Sequence, residues 1–372
     1  MKKRGLLFAG LFLLFLILLY MQPVWFPQDS AEDKQDQAIN REPPATNLNY
    51  EPIQTVGFAE WIGQDLDEFE KEYGEPEESM PSGFSFTIHR YAVDNELLEV
   101  NTEDEVITSI KYLGEDDEKI EPFNFGMTMD ELAKITMIYP NFTIEQDDQT
   151  IDLELGEEDM NYRPLIAFDN GSLAILFFDQ SQESQLYAID YLDKETLLQL
   201  SPYPVTNNQT PRYEEEADSD WDRINQFKSQ QTIELIQLLQ EKDEQPMFSI
   251  DPNLQNASED ILQFFSQNKE DILTTERLQE LQRFEKDEPG GFTLSDTEME
   301  DLLQELGDPM VSGHLEMPIY DPSFSVLSWY STPLLHEQMM GSEPSSLAVA
   351  FSKENVLVLW KEIEQAEESN SN

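Results

Sequence analysis

The sequence predicts an α+β protein: an N-terminal membrane helix, tandem helix-plus-antiparallel-sheet units, and then a layered α+β domain. Three observations carry this prediction. An apolar run follows three cations at the amino terminus; a seven-residue motif recurs between residues 57 and 200, each time ahead of strand-like segments; and the last third of the chain reads as helices that give way to a terminal β-hairpin. A length of 372 residues suggests about two domains, and 39% hydrophobic with 11% aromatic residues is enough apolar material for packed cores.

Lys2, Lys3 and Arg4 precede an uninterrupted apolar stretch from Gly5 to Met21, with Tyr20, Trp25 and Phe26 where interfacial aromatics belong. At ~1.5 Å per residue this run is at the short end of the spanning range and draws on Val24 to Phe26. The flank Met21-Gln22-Pro23-Val24-Trp25-Phe26 lacks the small residues of a cleavage site, so residues 1–26 are expected to be a cytoplasmic tail and an uncleaved anchor. The preceding cations keep the tail inside, making this a single-pass protein of the cell membrane with its C-terminal bulk extracytoplasmic.

The charge balance of 22 Lys+Arg against 77 Asp+Glu, −55 net, excludes nucleic acid as a partner, because that affinity comes from cations that displace phosphate counterions. Such acidity is first a solvated surface suited to a salty or alkaline exterior; weak binding of divalent cations stays open. No Asp-x-[Asp/Asn]-x-[Asp/Asn]-Gly calcium loop is present. The absence of cysteine excludes disulfides, thiolate nucleophiles and Cys-ligated zinc.

Residues 27–56, with Pro27, Pro43, Pro44 and Pro52, are expected to be a stalk, residues 202–220 an acidic linker, and residues 362–372 a disordered tail. Within 57–201, Gly63-Gln64-Asp65-Leu66-Asp67-Glu68-Phe69 matches Gly126-Met127-Thr128-Met129-Asp130-Glu131-Leu132 at an offset of 63, which divides the region into repeats 57–120 and 121–201. In each copy Asp65 or Thr128 is placed to cap a helix and Glu68 or Glu131 to complete a capping box. Strands are expected over 84–93, 97–101 and 106–113, then 150–155, 165–169, 172–178 and 185–192, with a type I′ hairpin turn at Asn170-Gly171. Within 221–361, helices are expected through Ile224–Leu239, Leu254–Phe265 and Thr275–Phe284, and from the capping box Ser295-Asp296-Thr297-Glu298 as far as Gly307 and Pro309; strands 346–352 and 356–360 follow.

Ile62-Gly63 through Tyr73-Gly74-Glu75-Pro76, and Pro122-Phe123-Asn124-Phe125-Gly126, resemble the CAP-associated N-terminal domain of Gram-positive bacilli. That domain is followed by a CAP domain, named for cysteine-rich secretory proteins, antigen 5 and pathogenesis-related proteins. Downstream pieces resemble it in the family's order: Ile250 to Leu254, Phe264-Phe265-Ser266-Gln267, Glu276-Arg277-Leu278, Trp329 to His336, and Leu347 to Phe351. The resemblance implies an α-β-α layered, degenerate CAP-like domain at 221–361. It also implies a groove, with Gln267 where the family has its first histidine, Glu316 in the place of its glutamate, and Leu335 rather than His336 in line with its second histidine. Gln267, His314, Glu316, Trp329 and His336 are the candidate groove residues.

No metal site, cofactor or catalytic residue is expected from this set, since two histidines and a carboxylate are the ligands such a groove needs. His89, in an alternating strand, is expected to be an outward polar residue. No His-Glu-x-x-His, Gly-x-Ser-x-Gly, P-loop or dinucleotide fingerprint occurs. The expectation is a non-catalytic envelope protein that binds a wall component or a protein partner; the alternatives are a metal-dependent CAP-class hydrolase with a rearranged groove and a cation-buffering surface protein.

Overall fold

A computed structural model describes residues 50–362 other than 94, 147–148, 182, 208–209, 285–289, 305 and 341–344. The expected membrane helix, residues 27–49 of the expected stalk and all but the first residue of the C-terminal tail lie outside the described residues. Among the described residues no helix is long and apolar enough to cross a membrane.

The first half is built on a seven-stranded antiparallel sheet of β1 (Glu78–Pro81), β2 (Thr87–Tyr91), β3 (Leu97–Glu103), β4 (Val106–Leu113), β7 (Leu165–Ala167), β8 (Leu173–Phe178) and β9 (Leu186–Leu192), in the order β1-β2-β3-β4-β9-β8-β7. A separate hairpin pairs β5 (Asn141–Gln146) with β6 (Gln149–Glu154). Helices α1 (Leu66–Tyr73) and α2 (Met129–Ile135) cover one face, and α3 (Glu157–Tyr162) and α4 (Lys194–Leu200) flank the second half.

The repeat is a real duplication of structure. Gly63 and Gly126 both have positive φ, +84° and +77°, which a residue without a Cβ adopts freely. Each donates its N–H to the strand beside it, Gly63 to Ile107 O and Gly126 to Leu186 O, both at 2.8 Å. Each motif therefore bridges the start of a central strand, β4 or β9, and these two strands pair at the middle of the sheet. The capping box forms at Thr128, whose N–H donates to Glu131 at 3.0 Å. Asp65 makes no side-chain cap bond, and Glu68 pairs with Lys71 instead.

Three local expectations are corrected. The Asn170-Gly171 hairpin forms, but only Gly171 has positive φ, so the turn is not type I′. Asn170 is held otherwise because its amide donates to Ala59 O and its oxygen accepts from Ser172. His89 is buried rather than outward, between Ser79 Oγ at 2.8 Å and Thr102 Oγ1 at 2.9 Å, and burial lowers its pKa to about 4. The end of the expected stalk and parts of the expected linker are packed: Tyr50 stacks on Phe142 at 4.7 Å, Ile53 bridges Phe168, Tyr203 is buried, and Tyr213 lies among Phe84, Phe86 and Tyr320.

The second half is an α-β-α arrangement. Its five-stranded sheet has the order β10-β13-β14-β12-β11, from β10 (Ser249–Ile250), β11 (Phe292–Thr293), β12 (Val311–Met317), β13 (Ser345–Ser352) and β14 (Asn355–Glu362). One face carries Leu347, Val349, Val356 and Val358 and packs on α5 (Trp221–Lys242), α10 (Pro322–Tyr330) and α11 (Pro333–Met339). The other carries Ala348, Ala350, Leu357 and Leu359 and packs on α6 (Pro252–Gln267), α8 (Thr275–Phe284) and α9 (Asp296–Leu303), with α7 (Lys269–Ile272) between α6 and α8. This alternation is the two-residue period of strands covered on both faces. Ser295 and Glu298 form the expected capping box of α9.

The core behind α5 and α10 also takes in Leu113, Ile175, Phe177 and Leu192 from the seven-stranded sheet. One hydrophobic core thus spans from sheet to sheet, and the described residues form one compact unit.

Candidate functional site

The structure gathers three of the five groove residues and separates the other two. On β12, His314 and Glu316 are two apart and so share a face, while Leu315 and Met317 turn to the opposite core. The Glu316 carboxylate is held from two sides through Oε2: His314 Nε2 lies at 2.7 Å, and the Trp329 indole N–H donates at 2.8 Å. The imidazole meets the indole edge-on at 5.7 Å. His336 is elsewhere, its ring against Tyr330 at 4.6 Å and its Nδ1 donating to Tyr330 O at 2.9 Å. Trp329 and Tyr330 leave α10 in different directions, Trp329 toward β12 and Tyr330 toward Tyr187 and Asp243. Leu335 packs on the core. Gln267 is exposed at the end of α6. Among the described residues, no group of three or more His, Asp and Glu side chains is placed to hold a metal ion.

Gln267 instead lines a cleft of about 940 Å³ between α5 and α6. The fold makes this cleft because the two helices cover opposite faces of one sheet and both run past its β13 edge, where β10 pairs only with Ser346 and Leu347. Its walls are amide-rich: Asn225, Gln226, Gln230 and Gln237 from α5, and Gln255, Gln263 and Gln267 from α6. The carboxylates of Asp222, Glu234 and Glu259 also line it, and among the described residues no Lys or Arg does. Of these only Gln267 was singled out from the sequence. The available signal was the recurrence of glutamine along the polar sides of two amphipathic helices.

The comparisons agree with this architecture. Residues 62–203 match the protein family described as CAP-associated N-terminal. They are a CAP-associated N-terminal domain. The chain shares its fold with a cysteine-rich secretory protein of Staphylococcus aureus, with a TM-score of 0.65 and 15% identity over 84% of this chain and 98% of that one. It likewise shares it with an extracellular SCP-domain protein of Bacillus anthracis, at a TM-score of 0.64 and 16% identity over 87% of this chain and 100% of that one. An uncharacterized membrane protein of Bacillus subtilis, YlbC, is 24% identical over 228 residues, which are 60% of this chain and 64% of that protein. The chain thus spans a little under two thirds of that relative's length.

The CAP-associated domain is joined to the α5/α10 layer by a buried polar seam. In register across its sheet run Glu78, Arg90, Glu99, Lys111 and Asp190, a row of alternating charge. Opposite charges at facing positions favour this pairing over a slipped one. Glu99, Lys111 and Asp190 are fully buried. Lys111 Nζ reaches Asp321 Oδ2, at the N-cap of α10, at 2.5 Å and Glu99 Oε1 at 3.3 Å. Glu99 Oε2 accepts from Gln231 of α5 at 2.5 Å and from Ser323 at 2.9 Å, Asn101 donates to Asp321 at 2.7 Å, and Asp190 accepts from Ser109 at 2.7 Å.

Burial raises the pKa of Glu99 and pushes that of Asp190 up to about 7, against the pull of Lys111. For Lys111 burial works the other way, but the carboxylates of Asp321, Asp190 and Glu99 outweigh it and raise the ammonium's pKa. Nearby, Trp221 packs on Gly83 so closely that a Cβ there would lie 2.4 Å from the indole. Lys228 is fully buried, with Nζ 4.7 Å from the Phe84 ring centre and donating to Lys353 O at 3.3 Å; burial lowers its pKa to about 7.

Proposed function

We propose that the protein is a non-catalytic extracytoplasmic component of the cell envelope, anchored in the cell membrane through Gly5–Met21, which binds a wall component or a protein partner in the cleft between α5 and α6. The observation that carries the reading is the cleft itself: about 940 Å³, walled largely by carboxamides, among them the exposed Gln226, Gln263 and Gln267. Carboxamides give both a donor and an acceptor without charge, the equipment for recognising a polar, uncharged polymer. The structural neighbours, one a secretory and one an extracellular protein, and the membrane relative support the location. The strong net acidity opposes anionic ligands, nucleic acid among them.

Co-sedimentation with purified cell-wall sacculi tests this reading. The full chain in detergent micelles should pellet with sacculi and release no soluble fragments, while the Gln230→Arg/Gln263→Arg variant, with its cleft filled by long cations, should stay in the supernatant. Equal pelleting of the blocked variant would move the binding site elsewhere. Zinc-dependent release of fragments, lost in Glu316→Ala, would replace the reading with the hydrolase that the His314–Glu316 pair suggests.

A further inference from the structure

The inner wall of the cleft is a sheet edge. In an antiparallel pair, alternate residues exchange both backbone bonds with the partner strand and those between them turn outward. Ser352 and Asn355 close the turn between β13 and β14, so the backbone groups of Ser352, Ala350 and Ala348 bond to β14 while the N–H and C=O of Phe351, Val349 and Leu347 point away from it, their side chains staying in the core. Leu347 is covered by β10. Val349 is taken by Gln255, whose carboxamide donates to its C=O at 2.8 Å and accepts from its N–H at 3.1 Å. Beyond the strand, the Lys353 N–H is capped by Asn225 at 3.0 Å. Between these two side-chain caps the register turns the Phe351 N–H and C=O away from β14, β10 pairs no further than Leu347, and Phe351 lines the cleft.

We propose that the cleft takes an extended peptide, one residue of which docks on Phe351 as an added strand; the proposal rests on the α5/α6 cleft being the binding site. The N–H and C=O of one edge residue point the same way. Their complement is a peptide residue in extended conformation, whose own N–H and C=O flank one Cα, or a primary carboxamide, as Gln255 demonstrates one pair further along. The secondary acetamide of an amino sugar holds its N–H and C=O on opposite sides and meets only one of the two. Asp222, Glu234 and Glu259, the second also paired with Arg90 at 2.7 Å, select an uncharged or cationic peptide. From Asp222 to Gln237 the α5 wall is roughly 22 Å long at ~1.5 Å per residue, the span of about six or seven extended residues at ~3.3 Å each.

The test uses the full chain in detergent micelles and fluorescein-labelled Lys-Thr-Val-Thr-Val-Thr-Lys, with fluorescence anisotropy as the readout. The same peptide N-methylated at each internal residue carries equal charge, so general attraction to an acidic protein cancels in the comparison. The N-methylated peptide should bind at least tenfold more weakly, the Gln230→Arg/Gln263→Arg variant should lose at least tenfold for the parent peptide, and the Phe351 amide should exchange at least tenfold more slowly when the peptide is bound. Equal binding of the two peptides, or unchanged exchange at Phe351, overturns strand addition. Displacement of the peptide by chitotetraose, or sacculus binding that needs the cleft when no peptide binds, makes the site a glycan site and overturns the peptide while leaving the cleft reading intact. Sacculus binding indifferent to the cleft overturns the cleft reading itself.

Discussion

The two sides of α5 put polar groups to opposite uses. One side carries Gln231 and Lys228 into the seam with the CAP-associated domain, where both are buried and Gln231 donates to Glu99 and Ser323. The other carries Gln226, Gln230 and Gln237 into the open cleft. Polar groups in the seam are fixed by one another and cannot be changed singly without stranding a buried partner. Of those in the cleft, Gln226 and Gln230 are exposed and Gln230 bonds only to Glu234 one turn on, so they tolerate change as far as folding is concerned, while half-buried Gln237 also donates to Phe248 O. The contrast separates what holds the two sheets together from what is available to a ligand.

The largest expected effect breaks the seam. Lys111→Met removes the one ammonium that Glu99, Asp190 and Asp321 surround, leaving buried carboxylates uncompensated. Loss of one partner of a buried pair costs about 3–5 kcal/mol, which urea unfolding followed by tryptophan fluorescence measures. Adding Glu99→Gln and Asp321→Asn to the same chain should recover part of that loss, because the stranded charges go with the cation.

Two titrations sharpen the same point with opposite signs. Asp190 has its folded pKa raised to about 7, so the folded state holds more protons than the unfolded one between the ordinary carboxylate range and pH 7, and stability falls as pH rises through that window. Asp190→Asn removes this slope, and its stability relative to the parent should climb between about pH 4 and pH 7. His89, lowered to about 4, adds a slope of the reverse sign from there to its ordinary range, but it is common to both chains and cancels in the difference. Lys228, lowered to about 7, binds fewer protons when folded, so its contribution grows as pH rises from there to the ordinary lysine range. Lys228→Met should therefore gain most over the parent at pH 6 and least at pH 10, read from the same urea titrations.

Local features of the fold were legible in the sequence, and the seam was not. The capping boxes at Thr128 and Ser295, the span of β4 and the span of α8 depend on neighbours within a turn or a strand, and short-range motifs and residue patterning placed them. Lys111 in an alternating strand looks like any solvent-facing charge. Only the packing of α10 and α5 on that face buries it, with Asp321 as its own distant partner and Gln231 bonded to the Glu99 beside it. Of the site, family order led to Gln267, which does line the cleft, and to Glu316, which meets His314 and Trp329. His336 was drawn away because Pro333 starts a new helix after Tyr330, which turns its ring toward the Tyr187 side. The cleft's sheet edge depends on β10 being only two residues long, a fact set by where α6 begins rather than by any strand signal.

The smallest stability effect is the sharpest test of the contrast. Gln230 is exposed on α5 one residue before buried Gln231, so the two positions differ in environment and hardly at all in sequence context. Gln230→Arg keeps a good helix former on an exposed face and should shift unfolding by no more than about 0.5 kcal/mol. Gln231→Arg would force a second cation among groups already bonded to Glu99 and Ser323 and should destabilise by several times as much, since a buried charge without its own partner is among the costliest single changes. Equal effects at the two positions, measured by the same urea unfolding, would mean that the cleft wall is as much a part of the fold's support as the seam, and that its amides are not free for a ligand.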